Sequence, residues 1–435
     1  MSSGFFRALG AVSQLALAYL VSTTLDQSAS GQFFLYVTWF TLLAPMTLLG
    51  TQYYAMRRLS SYDRGDSQIA ADAHALARLS TKTLLVVAVI AIPLAIWVDQ
   101  SVFAWLRAFP LHGFALALAC AVCLGAIAQA VAGHFHGVAK LGPSLVFSHI
   151  GVPLVAGVAI AAVRAGSSQE AILWHLAATA VIALIAVCSW FVCFGAKRKE
   201  VVEMPLSQAL RDSGNLWLIQ SLILVVNWSP IVIAGWLVAS GGVAELNIAQ
   251  RAANLINFVL VVVNFAVAPR LRHAWANNDR PRLREEVRRC SFVFLGLGFP
   301  IYLGVCFAAE WIMGSFGDQY RSAALLLRVY ATAQLVNVVT GSVNQILTMT
   351  DHERSLRNIC FGSSSLAIGL SLILGGTFGV LGIAVACSLA IAIQNCAAVL
   401  AVRYQLGFWV FDPRPVKGDP DADIDTRPNA MAPTD

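Results

Sequence analysis

The chain has 435 residues, of which 58% are apolar and only 12% charged, with a net charge of +6. Ordinary globular domains carry about 25% charged residues, so lipid is the solvent for most of this sequence. No room is left for a soluble catalytic domain of ordinary size. The basic excess lies in the connections between apolar stretches, where it sets membrane topology rather than a nucleic-acid surface.

A spanning helix needs about 20 apolar residues, because the hydrocarbon core is about 30 Å thick. Twelve stretches meet this in chain order: 5–25, 33–56, 83–105, 113–132, 143–163, 171–194, 213–239, 243–269, 291–309, 322–349, 358–374 and 380–402. The first is too long for a signal-peptide core and lacks an A-x-A site, so it reads as an uncleaved helix. If residue 1 is cytoplasmic and each stretch crosses once, 24 of the 29 Lys and Arg fall on the cytoplasmic side. Arg107, Arg164 and Arg321 fall outside, and Arg251 and Arg328 lie within stretches. That is the positive-inside pattern of a multi-pass bacterial inner-membrane protein with both termini in the cytoplasm.

The stretches divide into two sets of six. In each, the second helix runs into a basic segment, Met56-Arg57-Arg58 in one and Pro269-Arg270-Leu271-Arg272 in the other, followed by the longest polar loop of that half. Six helices per half make the repeats parallel, with a substrate path between them. The expected organisation is an N-terminal bundle at 1–200, a C-terminal bundle at 201–410 and a disordered cytoplasmic tail at 411–435. The tail has five Pro and few apolar residues.

No Asp or Glu lies deep in a stretch; Asp26, Asp99, Glu245, Glu310 and Asp318 sit near outer ends. Buried acids are the usual ion relay of an antiporter. The nine cysteines read as small apolar packing residues, Cys120 and Cys123 included. His134 and His136 at a loop end lack an accompanying acid, and no metal or cofactor motif is present.

The eighth stretch is the most polar. On a helical wheel Asn247, Gln250, Asn254, Asn257 and Asn264 fall within an arc of about 100°, with Arg251 beside them. Lipid would leave these amides unpaired. They therefore line a hydrated cavity or bridge to another helix. Arg251 lies roughly 12 Å inside the outer end, where its guanidinium could hold a phosphate or snorkel outward. Gln220 and Asn227, seven apart in the seventh stretch, share a face, and Pro230 should kink that helix. The amides near Arg328 point away from it, which favours helix-end packing there.

In these residues the chain resembles the polysaccharide-export, or oligosaccharide flippase, branch of the multidrug/oligosaccharidyl-lipid/polysaccharide (MOP) exporter superfamily. The stretches concerned are 244–257 with Ala268-Pro269, Asn278-Asp279 before Leu283, Phe299-Pro300, Gly314 to Gly317 with Tyr320, and Gly376-Thr377-Phe378-Gly379 through Gly382. Gly31-Gln32-Phe33 and Gly50-Thr51-Gln52 match more loosely. The resemblance implies an all-α, MATE-like fold of about twelve helices in two six-helix bundles, and a transporter without cofactor rather than an enzyme. Its cargo would be an undecaprenyl-diphosphate-linked oligosaccharide, made and polymerised by glycosyltransferase and polymerase partners. Arg251 would then hold phosphate, helped by Arg57, Arg58 or Arg270 at the cytoplasmic mouth. Gln250, Asn254, Asn257, Gln220 and Asn227 would contact sugar. The rival readings are a multidrug or cation antiporter, which would show mid-membrane acids, and a membrane polymerase or ligase, which would show a large outer loop.

Overall fold

The computed structural model describes residues 2–62, 68–100, 113–195, 204–257, 270–277, 279–341, 343–350 and 352–410, with the single positions 263 and 267. Among them every regular element is a helix. The first half holds α1 (Ser2–Thr24), α2 (Gln27–Met46), α3 (Thr51–Leu59), α4 (Gln68–Asp99), α5 (Ala115–Gly137), α6 (Leu141–Leu145), α7 (Gly151–Val163) and α8 (Ser168–Phe194). The second holds α9 (Leu206–Leu237), α10 (Ser240–Ala253), α11 (Arg280–Phe307), α12 (Ala309–Ser315), α13 (Ala324–Val339), α14 (Val343–Met349) and α15 (Glu353–Leu406).

Eight of these segments are long and apolar enough to cross a membrane, or nine when α2 and α3 count as one bent span. This is fewer than the twelve expected, for local reasons. The stretch 33–56 is broken at Leu49 and Gly50, whose φ values are 47° and 86°, and its two parts meet at 52°. The long final helix of 54 residues would measure about 80 Å at 1.5 Å per residue, far more than a bilayer. It breaks at Gly379 (φ 58°, ψ −134°), a backbone that favours glycine, between the stretches expected at 358–374 and 380–402. The eighth stretch is not one continuous helix. The α-helix stops at Ala253 and gives way to i→i+3 turns from Leu255 to Asn257. Asn264 and the tail 411–435 lie outside the described residues.

Two acids expected at outer ends are used structurally. Asp26 caps α2 through the Ala29 amide (2.6 Å), and Asp99 accepts from the amides of Gly113, Ala115 and Leu116 at the start of α5. Such caps satisfy donors that a helix start leaves open.

Packing divides the molecule by depth. Toward the end that carries Leu25, Phe33, Val243, Phe316 and Tyr320, one apolar core is shared by both halves. Toward the opposite, basic end lie two further cores, one around Leu271, Val287 and Leu356 of the second half, the other around Leu59, Phe135 and Trp190 of the first and including Ala209 of α9. α2 packs on α9 and α10 across the seam. That contact is close because Gly31 has no side chain: a Cβ there would lie 1.7 Å from the Ser240 carbonyl oxygen. The two halves therefore share a core at one end and also touch at the other, where α3 packs on α9.

Candidate functional site

A cavity of about 330 Å³ lies where the first half meets α9. Its wall comes mainly from the first half, with Gln220 and Leu224 of α9 closing it from the second. The polar lining includes Gln14 of α1, Gln52 and Tyr53 of α3, Gln129 of α5 and His175 of α8. Ser148 and His149 reach it from a π-helical turn, Val146–Ile150, between α6 and α7. Wide turns of this kind disturb carbonyl bonding; Gln129 Nε2 donates to the Ser148 carbonyl at 3.2 Å. Among the described residues the wall carries no carboxylate, lysine or arginine.

Arg251 stands directly behind that wall. It is only 6% exposed. Its Nε donates to Asn247 Oδ1 at 2.5 Å, and Nη1 donates to Gln14 Oε1. The guanidinium carbon lies 5.5 Å from the Trp228 ring centre and 5.9 Å from that of Phe34, distances at which a cation is drawn to a ring face. Asn247 Nδ2 in turn donates to Thr38 Oγ1 at 3.1 Å. One buried cation thus ties α10 to α1 and α2 and is held by neutral dipoles. The snorkelling alternative is excluded for this conformation. Because α10 begins at Ser240, Arg251 lies roughly 16 Å along it.

The amides beside Arg251 separate into two groups. Gln250, fully buried, donates from Nε2 to the Asn227 carbonyl at 2.7 Å. That carbonyl lies just before Pro230, which has no N–H to offer the Val226 carbonyl. Cys387 Sγ approaches the Val226 oxygen at 3.8 Å. The side chain of Asn227 turns back to Ile223 O at 2.8 Å. Asn254 and Asn257 form a second group with α13. Gln334 Nε2 donates to Asn254 Oδ1 (2.9 Å), Asn257 Nδ2 to Gln334 Oε1 (2.7 Å) and Asn337 Nδ2 to Asn257 Oδ1 (2.9 Å). In this conformation the second group is helix-bridging, because the chain leaves the wheel after Ala253 and carries both residues toward α13.

Of the nine site residues expected from sequence, only Gln220 lines the cavity. Arg57 bridges the halves at the basic end, donating to the Asp212 carbonyl (2.6 Å) and to Glu353 Oε1 (3.0 Å). Arg58 pairs with Asp72 at 2.8 Å, and Arg270 lies 3.8 Å from Glu286. None of the three joins Arg251. Arg328 donates to the Cys306 carbonyl and to Glu310, as helix-end packing requires.

Sequence reasoning missed Gln14, Gln129, His149 and His175. Each is an isolated polar residue in an apolar helix, and that isolation was the available signal. His175 is 1% exposed, with its ring edge-on to Tyr36 (5.4 Å) and Phe40 (5.0 Å), and its Nδ1 has no hydrogen-bond partner.

Solved structures share this fold. An inward-facing multidrug resistance MATE family transporter of the MOP superfamily is 15% identical over 92% of this chain and 94% of its own, with a TM-score of 0.70. The lipid II flippase MurJ in an inward closed conformation is 14% identical over 92% of this chain and 87% of its own, at 0.67. An outward-facing MATE transporter of the same superfamily is 14% identical over 93% of both chains, at 0.57. No curated protein matches by sequence. The MatE family model matches residues 216–373. The model of the polysaccharide biosynthesis protein family matches residues 9–275, more than half of the sequence, and the chain belongs to that family.

Proposed function

We propose that the protein flips an undecaprenyl-diphosphate-linked oligosaccharide from the inner to the outer leaflet of a bacterial inner membrane by alternating access. The observation that carries the reading is the pairing of a buried arginine with an uncharged, amide- and imidazole-lined cavity. A diphosphate needs a cation, and Arg's planar fork suits two phosphate oxygens. A sugar needs neutral hydrogen-bonding groups, which Gln14, Gln52, Gln129 and Gln220 offer. Gln14 is the hinge between the two, since it both faces the cavity and accepts from Arg251. When phosphate replaces it on the guanidinium, the link between α1 and α10 is released.

In this reading the halves 1–200 and 201–410 are six-helix bundles. Twelve spans result when α2 joins α3, α6 joins α7, the expected stretch 243–269 counts as one crossing, and α15 is divided at Gly379. The basic end faces the cytoplasm and the shared core closes the periplasmic end. Both termini are then cytoplasmic. The higher TM-score to the inward-facing transporter than to the outward-facing one supports this conformation, as does the inward closed state of the flippase relative. The prenyl chain stays in lipid beside the two halves.

Replacing Arg251 with Ala should abolish surface polysaccharide at unchanged protein level, and full surface polysaccharide in R251A would remove Arg251 from its assigned role. A second reading, multidrug export, is favoured by the MatE match over 216–373. A drug-susceptibility panel separates the two: altered resistance with normal polysaccharide in a deletion strain reverses the ranking.

A further inference from the structure

A second cavity, of about 520 Å³, opens on the outside of the molecule at the basic end, between α4 and the first residues of α9. On α4 the cations Arg78 and Lys82 stand four residues apart on one face, and Val86 continues the same stripe one turn deeper. Both cations are exposed. Pro205 and Leu206 form the facing wall, where the second half begins. The Thr83 hydroxyl, the one other polar side chain among the lining residues, already donates to the Leu79 carbonyl at 3.0 Å. Above the groove α4 is the most lipid-exposed of the long helices, with Leu85, Val89 and Ile90 all turned outward.

We infer that this groove binds an anionic phospholipid of the cytoplasmic leaflet, its phosphate on Arg78 and Lys82 and one acyl chain laid along Val86. The argument is one of complementary chemistry arranged by depth. Positive charge sits where headgroups lie, and hydrocarbon surface follows where acyl chains lie. Basic recesses between spanning helices on the cytoplasmic side suit anionic headgroups. The occupant is a phospholipid and not the proposed cargo, because the wall offers no amide or imidazole for a sugar. The central cavity is also distinct: it is walled by Gln52, Tyr53 and Met56 of α3, and none of these reaches the outer groove. The groove spans the seam between halves, touching α4 of the first and the start of α9 of the second. A lipid held there would therefore favour the present arrangement of the two.

The test uses the full-length protein, purified in detergent and offered equal amounts of phosphatidylglycerol and phosphatidylcholine, with bound lipid counted by native mass spectrometry. Phosphatidylglycerol should be retained preferentially. The double substitution R78Q/K82Q should weaken its retention about thirtyfold, from the usual worth of two surface cations toward anionic lipid. Val86→Trp, which fills the groove without changing charge, should also reduce it. The exposed cations Arg211 and Arg354 provide the control, and R211Q/R354Q should retain the lipid. Equal retention in R78Q/K82Q, equal loss in the control, or no effect of V86W would overturn the assignment. So would displacement of phosphatidylglycerol by an equal amount of undecaprenyl diphosphate, which would make the groove a cargo site.

Discussion

Arg251 is held by groups that cannot neutralise it. Its two hydrogen-bond partners are neutral amide oxygens, from Gln14 and Asn247, and two ring faces supply the rest of its surroundings. A guanidinium solvated only by dipoles in a buried site is stable enough to keep its charge and still favours an arriving anion, since charge-assisted bonds to phosphate are about twice as strong as those to neutral acceptors. The same arrangement makes Gln14 sensitive to substitution. Gln14→Leu keeps the volume of the side chain but leaves Nη1 without an acceptor. The cost should be about 1–3 kcal/mol, the usual penalty for an unpaired buried donor. A thermal unfolding midpoint measured in detergent should drop by a few degrees; an unchanged midpoint would mean that the guanidinium finds other partners and that Gln14 does not position it.

At the level of helices, much was legible in the sequence, because apolar length and positive-inside charge are imposed by the bilayer itself. The stretches 5–25, 143–163 and 171–194 coincide with α1, α6–α7 and α8 to within a few residues. Breaks were less legible. The bend between α2 and α3 and the end of α10 at Ala253 fall inside single stretches, 33–56 and 243–269, as the sequence divides them. They are set by positive φ at Leu49 and Gly50 and by side chains that draw Asn254 and Asn257 to α13. The site divides in the same way. Arg251 and Gln250 stood out as polar residues within an apolar stretch. Their partners Gln14 and Asn227 are brought to them only by packing between α1, α9 and α10, which periodicity within one helix does not contain. Among element contacts, the crossing of α2 and α10 has the least tolerance. Gly31→Ala must push a Cβ away from the Ser240 carbonyl, and overpacking of this kind costs about 1–3 kcal/mol. The strain falls entirely on the closed end. Cysteines placed at Gln27 and Glu245, hydrogen-bonded at 2.9 Å in the present structure, should therefore cross-link more slowly in a G31A background. An unchanged rate would show that the closed end yields elsewhere.

For the whole molecule, the account rests on an exchange between two closures. The far end is closed by a continuous apolar core and by the edge-on contact of Tyr19 with Phe316 at 6.1 Å. At the basic end the halves share little apolar surface, chiefly around Ala209, and are bridged by Arg57 with Asp212 and Glu353. That ion pair is partly exposed, so it is worth at most about 1 kcal/mol. A latch of this strength suits a state that must open. Arg57→Glu places two acids together at the basic end and should raise the population open there by up to about fivefold, read as faster thiol labelling of a cysteine at Met56. The double exchange R57E/E353R should restore the original rate. If the single and double variants label alike, the pair does not hold the halves together. The central claim is movement of a lipid-linked sugar past Arg251. Its most direct measurement is transfer of a fluorescent undecaprenyl-diphosphate oligosaccharide across proteoliposomes containing the wild-type protein or R251A. The account predicts transfer by the wild type and none above protein-free vesicles for R251A; equal transfer by both, or none by the wild type, would contradict it.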